Sequence, residues 1–198
     1  DNFSNNKKKQ IQNLFKDKIS IVNGDIRNFD EIYAELSDSE IVIHLAAKID
    51  VNESIQNPIE FNEVNVSGTV NLLQACIKKN VNNIICASSA AVYGNPMNLP
   101  LVENMPTIPL SPYGASKLAT EKYLQAFSNS FNLNCISLRF FNVYGIGQTI
   151  QYAGVIAKFI KNIENNLPLI VYGDGKQTRD FISIHDVVKS IERSILKI

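Results

Sequence analysis

The sequence of 198 residues carries no excess of charge: 19 Lys and Arg balance 19 Asp and Glu, for a formal net charge of zero. That removes the electrostatic argument for nucleic acid or an anionic membrane as a partner. The only basic cluster, Lys7–Lys8–Lys9, lies among Asn and Gln and reads as a solvated helix start. Cysteine is scarce too. Cys76, Cys86 and Cys135 share no metal-ligand spacing, so no metal site is expected. Their odd number and apolar surroundings point to buried thiols in a reducing compartment. No apolar run is long enough to cross a bilayer, and no signal-peptide pattern occurs. These absences together imply a cytoplasmic protein. Internal repeats and low-complexity segments are also lacking. What is present is 45% hydrophobic and 19% charged residues, enough for the packed core of one ordinary domain.

Apolar runs alternate with amphipathic stretches. Strands are expected at 18–25 (KISIVNGD), at 40–47 (EIVIHLAA), within 82–94 and over 135–145. Helices are expected at 29–36, at 58–80 and after Ser111. Short, continuously apolar strands between helices mark a parallel α/β sheet covered on both faces, the doubly wound arrangement. Ligands of such sheets bind at the carboxyl ends of strands. Those ends carry Asp25, Leu45–Ala47, Ser88–Ser89 and Phe141–Asn142. Beyond them, 152–166 reads as a helix. A Tyr-Gly-Asp-Gly turn then separates a short strand at 169–172 from another near Phe181–Ile182, and His185–Asp186 open a last helix.

One signature is missing. A doubly wound dinucleotide domain normally begins with a strand, a Gly-x-Gly-x-x-Gly turn and a helix. No such turn occurs here. The acidic residue that holds the adenosine ribose lies about 20 residues beyond the glycines. Asp1 suits that role, in which case the first strand, glycine turn and helix would precede residue 1.

The segment SPYGASKLATEKYLQAF, 111–127, places Tyr113 and Lys117 four residues apart at a helix start. Such pairs share a helix face, and many are only surface contacts. The chemical reading differs. Free tyrosine has a pKa of about 10 and is a poor base at neutral pH. A cation within about 4–6 Å favours the phenolate and makes it a usable acid/base group.

Eight motifs in order resolve the choice: DNFSNN, GDIRN, VIHLAA, NVSGTVNLL, SSAAVYG, SPYGASK, LRFFNVYG and YGDGKQTRDFISIHDV. Together they resemble the extended short-chain dehydrogenase/reductase family, and within it the nucleotide-sugar 4-epimerases. The resemblance covers nearly the whole chain. It implies a Rossmann-type NAD-binding domain over 1–150 that lacks its first strand, glycine turn and helix. It also implies the start of a smaller substrate-binding lobe over 151–198, with a strand and helix returning to the first domain. Such relatives continue for about another hundred residues, and residues 1–198 alone would be a poorly stable fragment with no useful NAD affinity.

Carried over residue by residue, the resemblance implies that Asp1 bonds the adenosine ribose, with Asn2 and Asn5 bordering the adenosine. An acid there repels a 2′-phosphate and favours NAD over NADP. Asp25 and Ile26 would flank the adenine, and Leu45, Ala46 and Ala47 would let backbone approach the dinucleotide. Asn65 would sit behind the cofactor and Phe141 near the nicotinamide. Ser89, Tyr113 and Lys117 would be catalytic. Ser89, Tyr113, Asn142 and Arg179 would hold the substrate, a UDP- or dTDP-hexose. Arg179 as a plain ion pair with Asp180 is the bland alternative, and His185 reads as a helix-start residue. A homodimer is expected of the intact protein.

The implied reaction is epimerisation at C4, with a hydride leaving to tightly bound NAD and returning. Dehydratases of this family resemble one another in an Asp-Glu pair after the strand-end serine. Here Ala90 and Ala91 occupy those places, and methyl groups cannot move protons. A dehydratase or oxidoreductase of the same family remains the alternative, as does a non-catalytic NAD-binding protein or inactive fragment.

Overall fold

The computed structural model describes residues 1–4, 11–12, 15, 18–37, 39–148 and 154–198. Asn5 and the Lys7–Lys9 cluster lie outside them.

Helix α1 (Phe29–Glu35) starts where Asn28 accepts hydrogen bonds from Asp30 and Glu31, with both acids in the first turn, where the helix dipole favours them. Strand β1 (Ile41–His44) follows. Helix α2 (Val51–Gln56) is capped by Asp50 and was not anticipated in the sequence, where its apolar positions are too few to show a period. Helix α3 (Pro58–Phe61), with proline in its first turn, runs into a π-helical stretch (Asn62–Ser67) and then α4 (Gly68–Lys79). Strand β2 (Asn83–Ser89) ends in a 3₁₀ turn (Ala90–Tyr93). Helix α5 (Pro112–Phe131) begins at Ser111, whose side chain accepts from the Gly114 amide. Then come β3 (Asn134–Phe140), β4 (Asn142–Tyr144), α6 (Val155–Glu164), β5 (Phe181–Ser183) and α7 (Ile184–Ile195).

The strands form a parallel sheet in the order β1-β2-β3, with His44 opposite Cys86 and Ser89 opposite Phe140. A second parallel pair joins β4 to β5, with Asn142 opposite Phe181. The core lies between the sheet and the helices. Leu72, Leu73, Ala75 and Cys76 of α4 pack with Ile84 and Cys86 of β2, Leu124 of α5 and Leu133. Ile85, which strand alternation turns to the opposite face, is also fully buried. Gly68 lets α4 lie close to the 24–27 segment: a Cβ there would come within 2.6 Å of Ile26 Cγ2. All three cysteines are free thiols, and burial pushes each of them up, to about 12 for Cys76.

Three expected elements differ. Residues 20–25 form no strand. Their backbone makes two bonds with Asp1, Gly24 N to Asp1 O at 3.2 Å and the Asp1 amino group to Val22 O at 3.5 Å, too short a ladder for a strand. The 169–172 run, with Leu169 to Tyr172 exposed, also forms no strand; the Tyr172 carbonyl accepts from Gln177 Nε2 at 2.9 Å instead. The single strand over 135–145 is broken at Phe141. Its first partner, β2, ends in the 3₁₀ turn, and beyond the break Asn142 bonds the Asp180 carbonyl instead.

Leu73 is fully buried at the centre of this cluster. Leu73→Ala is expected to cost about 2–5 kcal/mol of stability, read as a lower midpoint in urea denaturation with little change in slope.

Candidate active site

Helix α5 lies against the carboxyl end of β2. Gly114 permits the contact, since a Cβ there would stand 2.8 Å from the Ala91 carbonyl. The approach brings the Ser89 hydroxyl close enough to the Tyr113 phenol to act on its ionisation. Ser89 Oγ also accepts from the Ala91 amide at 3.2 Å. One turn along α5, Lys117 is only 5% exposed and donates to the Ala87 carbonyl at 2.8 Å. A lysine so deeply buried is not half of a surface pair. The edge of the Phe61 ring packs on the Tyr113 ring, with centroids 6.5 Å apart.

Burial sets the electrostatics. It pushes the Tyr113 phenol above its ordinary value, and the Ser89 hydroxyl opposes this. It pulls the Lys117 ammonium down. Burial outweighs the Ser89 contact, and the phenol is raised.

Asn65 is 2% exposed and sits in the π-helical stretch. Its amide accepts from the Lys48 N–H at 2.8 Å and donates to the Lys48 carbonyl at 3.0 Å and to Ser116 Oγ at 2.9 Å. It thus ties the loop after β1 to α5. Its own carbonyl accepts from Thr69 Oγ1 at 2.5 Å and Thr120 Oγ1 at 3.1 Å. The wider π turn releases carbonyls from the usual helical ladder for such bonds. The Lys48 ammonium lies 2.7 Å from both Glu53 and Glu60.

The residues assigned to the adenosine end gather on a second flank. Asn2 Nδ2 donates to Asp25 Oδ2 at 3.0 Å, and Asp1 Oδ1 accepts from the Phe3 amide at 2.6 Å. Arg27 binds Asp25 through Nε and Nη2 and holds its carboxyl well below the usual range, against the effect of burial. Ile26 packs under Gly68. At the end of β1, Leu45 and Ala46 are exposed and Ala47 is half-buried, leaving backbone open to approach.

Phe141 is half-buried at the break between β3 and β4. Asn142 Nδ2 donates to the Asp180 carbonyl at 2.7 Å, joining the LRFFN and TRDF segments. Arg179 is exposed and donates to the Thr178 carbonyl at 2.8 Å; among the described residues it forms no ion pair, so the Asp180 alternative is not realised. His185 is exposed, and Ser183 caps α7 instead.

Sequence reasoning missed His44, Thr69, Ser116, Glu121 and Arg139. His44 is 6% exposed and its Nε2 meets Thr69 Oγ1 at 3.0 Å. Glu121 had a legible signal, since it continues the four-residue interval from Tyr113 and Lys117. Among the described residues no cluster of His, Cys, Asp or Glu could hold a metal, and no helix is long and apolar enough to cross a membrane.

This arrangement, a strand-end serine beside a tyrosine with a buried lysine one turn on, lies at the carboxyl end of a Rossmann-type parallel α/β sheet. Residues 1–197 match the NAD dependent epimerase/dehydratase family, and the chain belongs to it. It is 38% identical over 182 residues to the UDP-glucose 4-epimerase of Mycolicibacterium smegmatis, a match covering 90% of this chain and 58% of that protein. It superposes on the UDP-N-acetylglucosamine 4-epimerase of Methanobrevibacter ruminantium, solved with UDP-N-acetylmuramic acid, with a TM-score of 0.92. That match has 38% identity and covers 98% of this chain and 63% of the other. The Thermus thermophilus UDP-glucose 4-epimerase, solved with NAD, superposes with a TM-score of 0.89 at 31% identity over 98% of this chain and 64% of that one. The chain therefore spans a little under two thirds of the length of these relatives.

Burial, with the Lys117 charge nearby, pushes the His44 imidazole down to about 3. An unfolded histidine takes up its proton near pH 6.5. Between those values the unfolded state binds the extra proton, so stability is full above about pH 6.5 and falls as pH drops. His44→Gln is expected to flatten this dependence: the loss of stability between about pH 7.5 and about pH 4.5, from urea melts, shrinks relative to wild type.

Proposed function

We propose that the chain carries the acid/base centre of a nucleotide-sugar 4-epimerase that uses tightly bound NAD. The observation that carries this reading is the Ser89 hydroxyl placed beside the Tyr113 phenol on the helix that buries Lys117 against Ala87. The residues fit the cofactor: the open small-residue backbone at Leu45–Ala47 and the Asp1, Asn2 and Asp25 group are suited to a dinucleotide. On this reading Asp1, Asn2, Asp25 and Ile26 receive its adenosine end, and Asn5 belongs with them by sequence. Asp1 favours NAD over NADP. Phe141 and Lys117 serve the nicotinamide end. Asn65 holds the Lys48 loop in place rather than reaching the cofactor, because its amide is already engaged.

Bound NAD would supply the hydride acceptor and donor at C4. Tyr113, as phenolate, takes the proton from the sugar 4-hydroxyl and returns it after the sugar has turned over. Ser89 hydrogen-bonds the same oxygen. In a desolvated phenol, the positive charge needed to favour phenolate comes from Lys117 and the oxidised cofactor together. Arg179, exposed and outside any ion pair, is suited to the substrate diphosphate through its planar fork of donors, and Asn142 to the sugar nucleotide. The substrate class is a UDP- or dTDP-hexose. Residues 1–150 then form part of the NAD-binding domain and 151–198 part of the substrate lobe. The intact protein is read as a cytoplasmic homodimer with no nucleic-acid or membrane partner.

The family also contains dehydratases. Ala90 and Ala91 lie in the 3₁₀ turn directly after Ser89, where no acid or base is available for a second elimination step. The test uses the full gene product with a panel of UDP- and dTDP-sugars. Interconversion of C4 epimers without accumulation of reduced nicotinamide is the expected result; stoichiometric NADH or a 4-keto-6-deoxy product would replace this reading. Tyr113→Phe keeps the ring and removes the oxygen. Turnover is expected to fall by about 10²–10⁴-fold with NAD still bound, measured by coupled assay and cofactor content. Near-normal turnover would remove Tyr113 from the chemistry.

A further inference from the structure

Glu121 takes no part in the chemistry above, yet its side chain is only 10% exposed. Tyr113, Lys117 and Glu121 recur every four residues on one face of α5. Each engages one of three successive residues of β2. Lys117 Nζ donates to the Ala87 carbonyl at 2.8 Å. Glu121 Oε1 accepts from Ser88 Oγ at 2.5 Å. Tyr113 lies beside the Ser89 hydroxyl, which acts to lower its phenol.

Glu121 is in turn held from β3. Arg139 donates from Nε to Oε1 at 2.9 Å and from Nη2 to Oε2 at 2.7 Å, a planar fork on a carboxylate. Arg139 Nη1 reaches Tyr93 Oη at 2.8 Å and the Glu103 carbonyl at 3.0 Å, and the guanidinium lies 4.8 Å over the Tyr93 ring. Burial alone would raise the Glu121 carboxyl; the Arg139 and Ser88 bonds hold it below its ordinary value. The network thus spans β2, β3, α5 and the turn after Ser89.

The β2–β3 ladder ends at Ser89. Ser88, the residue before it, is tied to α5 through Glu121. We propose that Glu121, clamped by Arg139, is a positioning residue for the Ser89–Tyr113 pair, fixing the end of β2 in register against α5 so that the hydroxyl meets the phenol. This rests on the reading of that pair as the acid/base centre. The groups facing Tyr113 are Ser89 from β2 and the Phe61 ring from α3. Glu121 faces Arg139 from β3 and Ser88 from β2, with Lys122 beside it on α5. A slip of β2 therefore acts on Tyr113 through Ser89, whose hydroxyl is what opposes the upward push of burial.

The experiment compares wild type with Glu121→Gln and Ser88→Ala in the full gene product. The serine variant cuts the link without leaving the Arg139 charge unpaired, so it reports even if the glutamine variant fails to fold. Tyrosine labelled at Cζ with carbon-13 allows the Tyr113 resonance, assigned by its loss in Tyr113→Phe, to be titrated by NMR. The expected result is a Tyr113 titration at higher pH than in wild type, with kcat lower by about tenfold or more and KM unchanged, the pattern of a lost transition-state interaction. The double variant should add little to either single one. Folded variants with wild-type titration and wild-type kcat, or with a lowered melting point as their only change, would overturn the proposal. If wild type epimerises no nucleotide sugar, the functional reading fails, while the Tyr113 titration still decides the positioning role.

Discussion

A buried ammonium must have a partner, and Lys117 finds its partner in the Ala87 carbonyl. An unpaired charge at that depth costs several kcal/mol, so α5 can settle on the sheet only where that carbonyl is within reach. The constraint fixes both the height and the rotation of the helix. Tyr113, one turn earlier, is then carried over the end of β2, and Gly114 removes the side chain that would hold the two apart. The docking of this helix is what the site depends on.

The surrounding polar groups are arranged to keep that docking dry. Among the described residues every buried side-chain nitrogen and oxygen has a hydrogen-bond partner. Asn65 closes three of these bonds from a π-helical stretch, joining the loop after β1 to α5. His44 stays neutral beneath the lysine, since a second cation there would meet both desolvation and repulsion. In such a setting electrostatic interactions are stronger than in water. The same desolvation raises the Tyr113 phenol, with the Ser89 hydroxyl opposing it.

Some of this was legible in the residues. The short apolar runs expected as strands within 40–47 and 82–94 fall on β1 and β2. Pro58 and Ser111–Pro112 marked helix starts correctly. The 18–25 and 169–172 runs have equally strand-like composition but form no strands. A strand is a property of a pair, and composition says nothing about whether a partner lies alongside. The break at Phe141 has the same origin, since the end of β2 lies some fifty residues away in sequence.

The sequence by itself determined the α/β class and the order of most elements, which follow from local periodicity; Ser89, Tyr113 and Lys117 came together as a set only through the resemblance of their motifs to a family. Only the tertiary structure decided that Lys117 is buried on a carbonyl, that Asn65 clamps a loop, that His44 is neutral and that Glu121 and Arg139 brace the end of β2. Each of those outcomes depends on desolvation and on partners distant in the chain, and neither quantity exists until the helices close over the sheet.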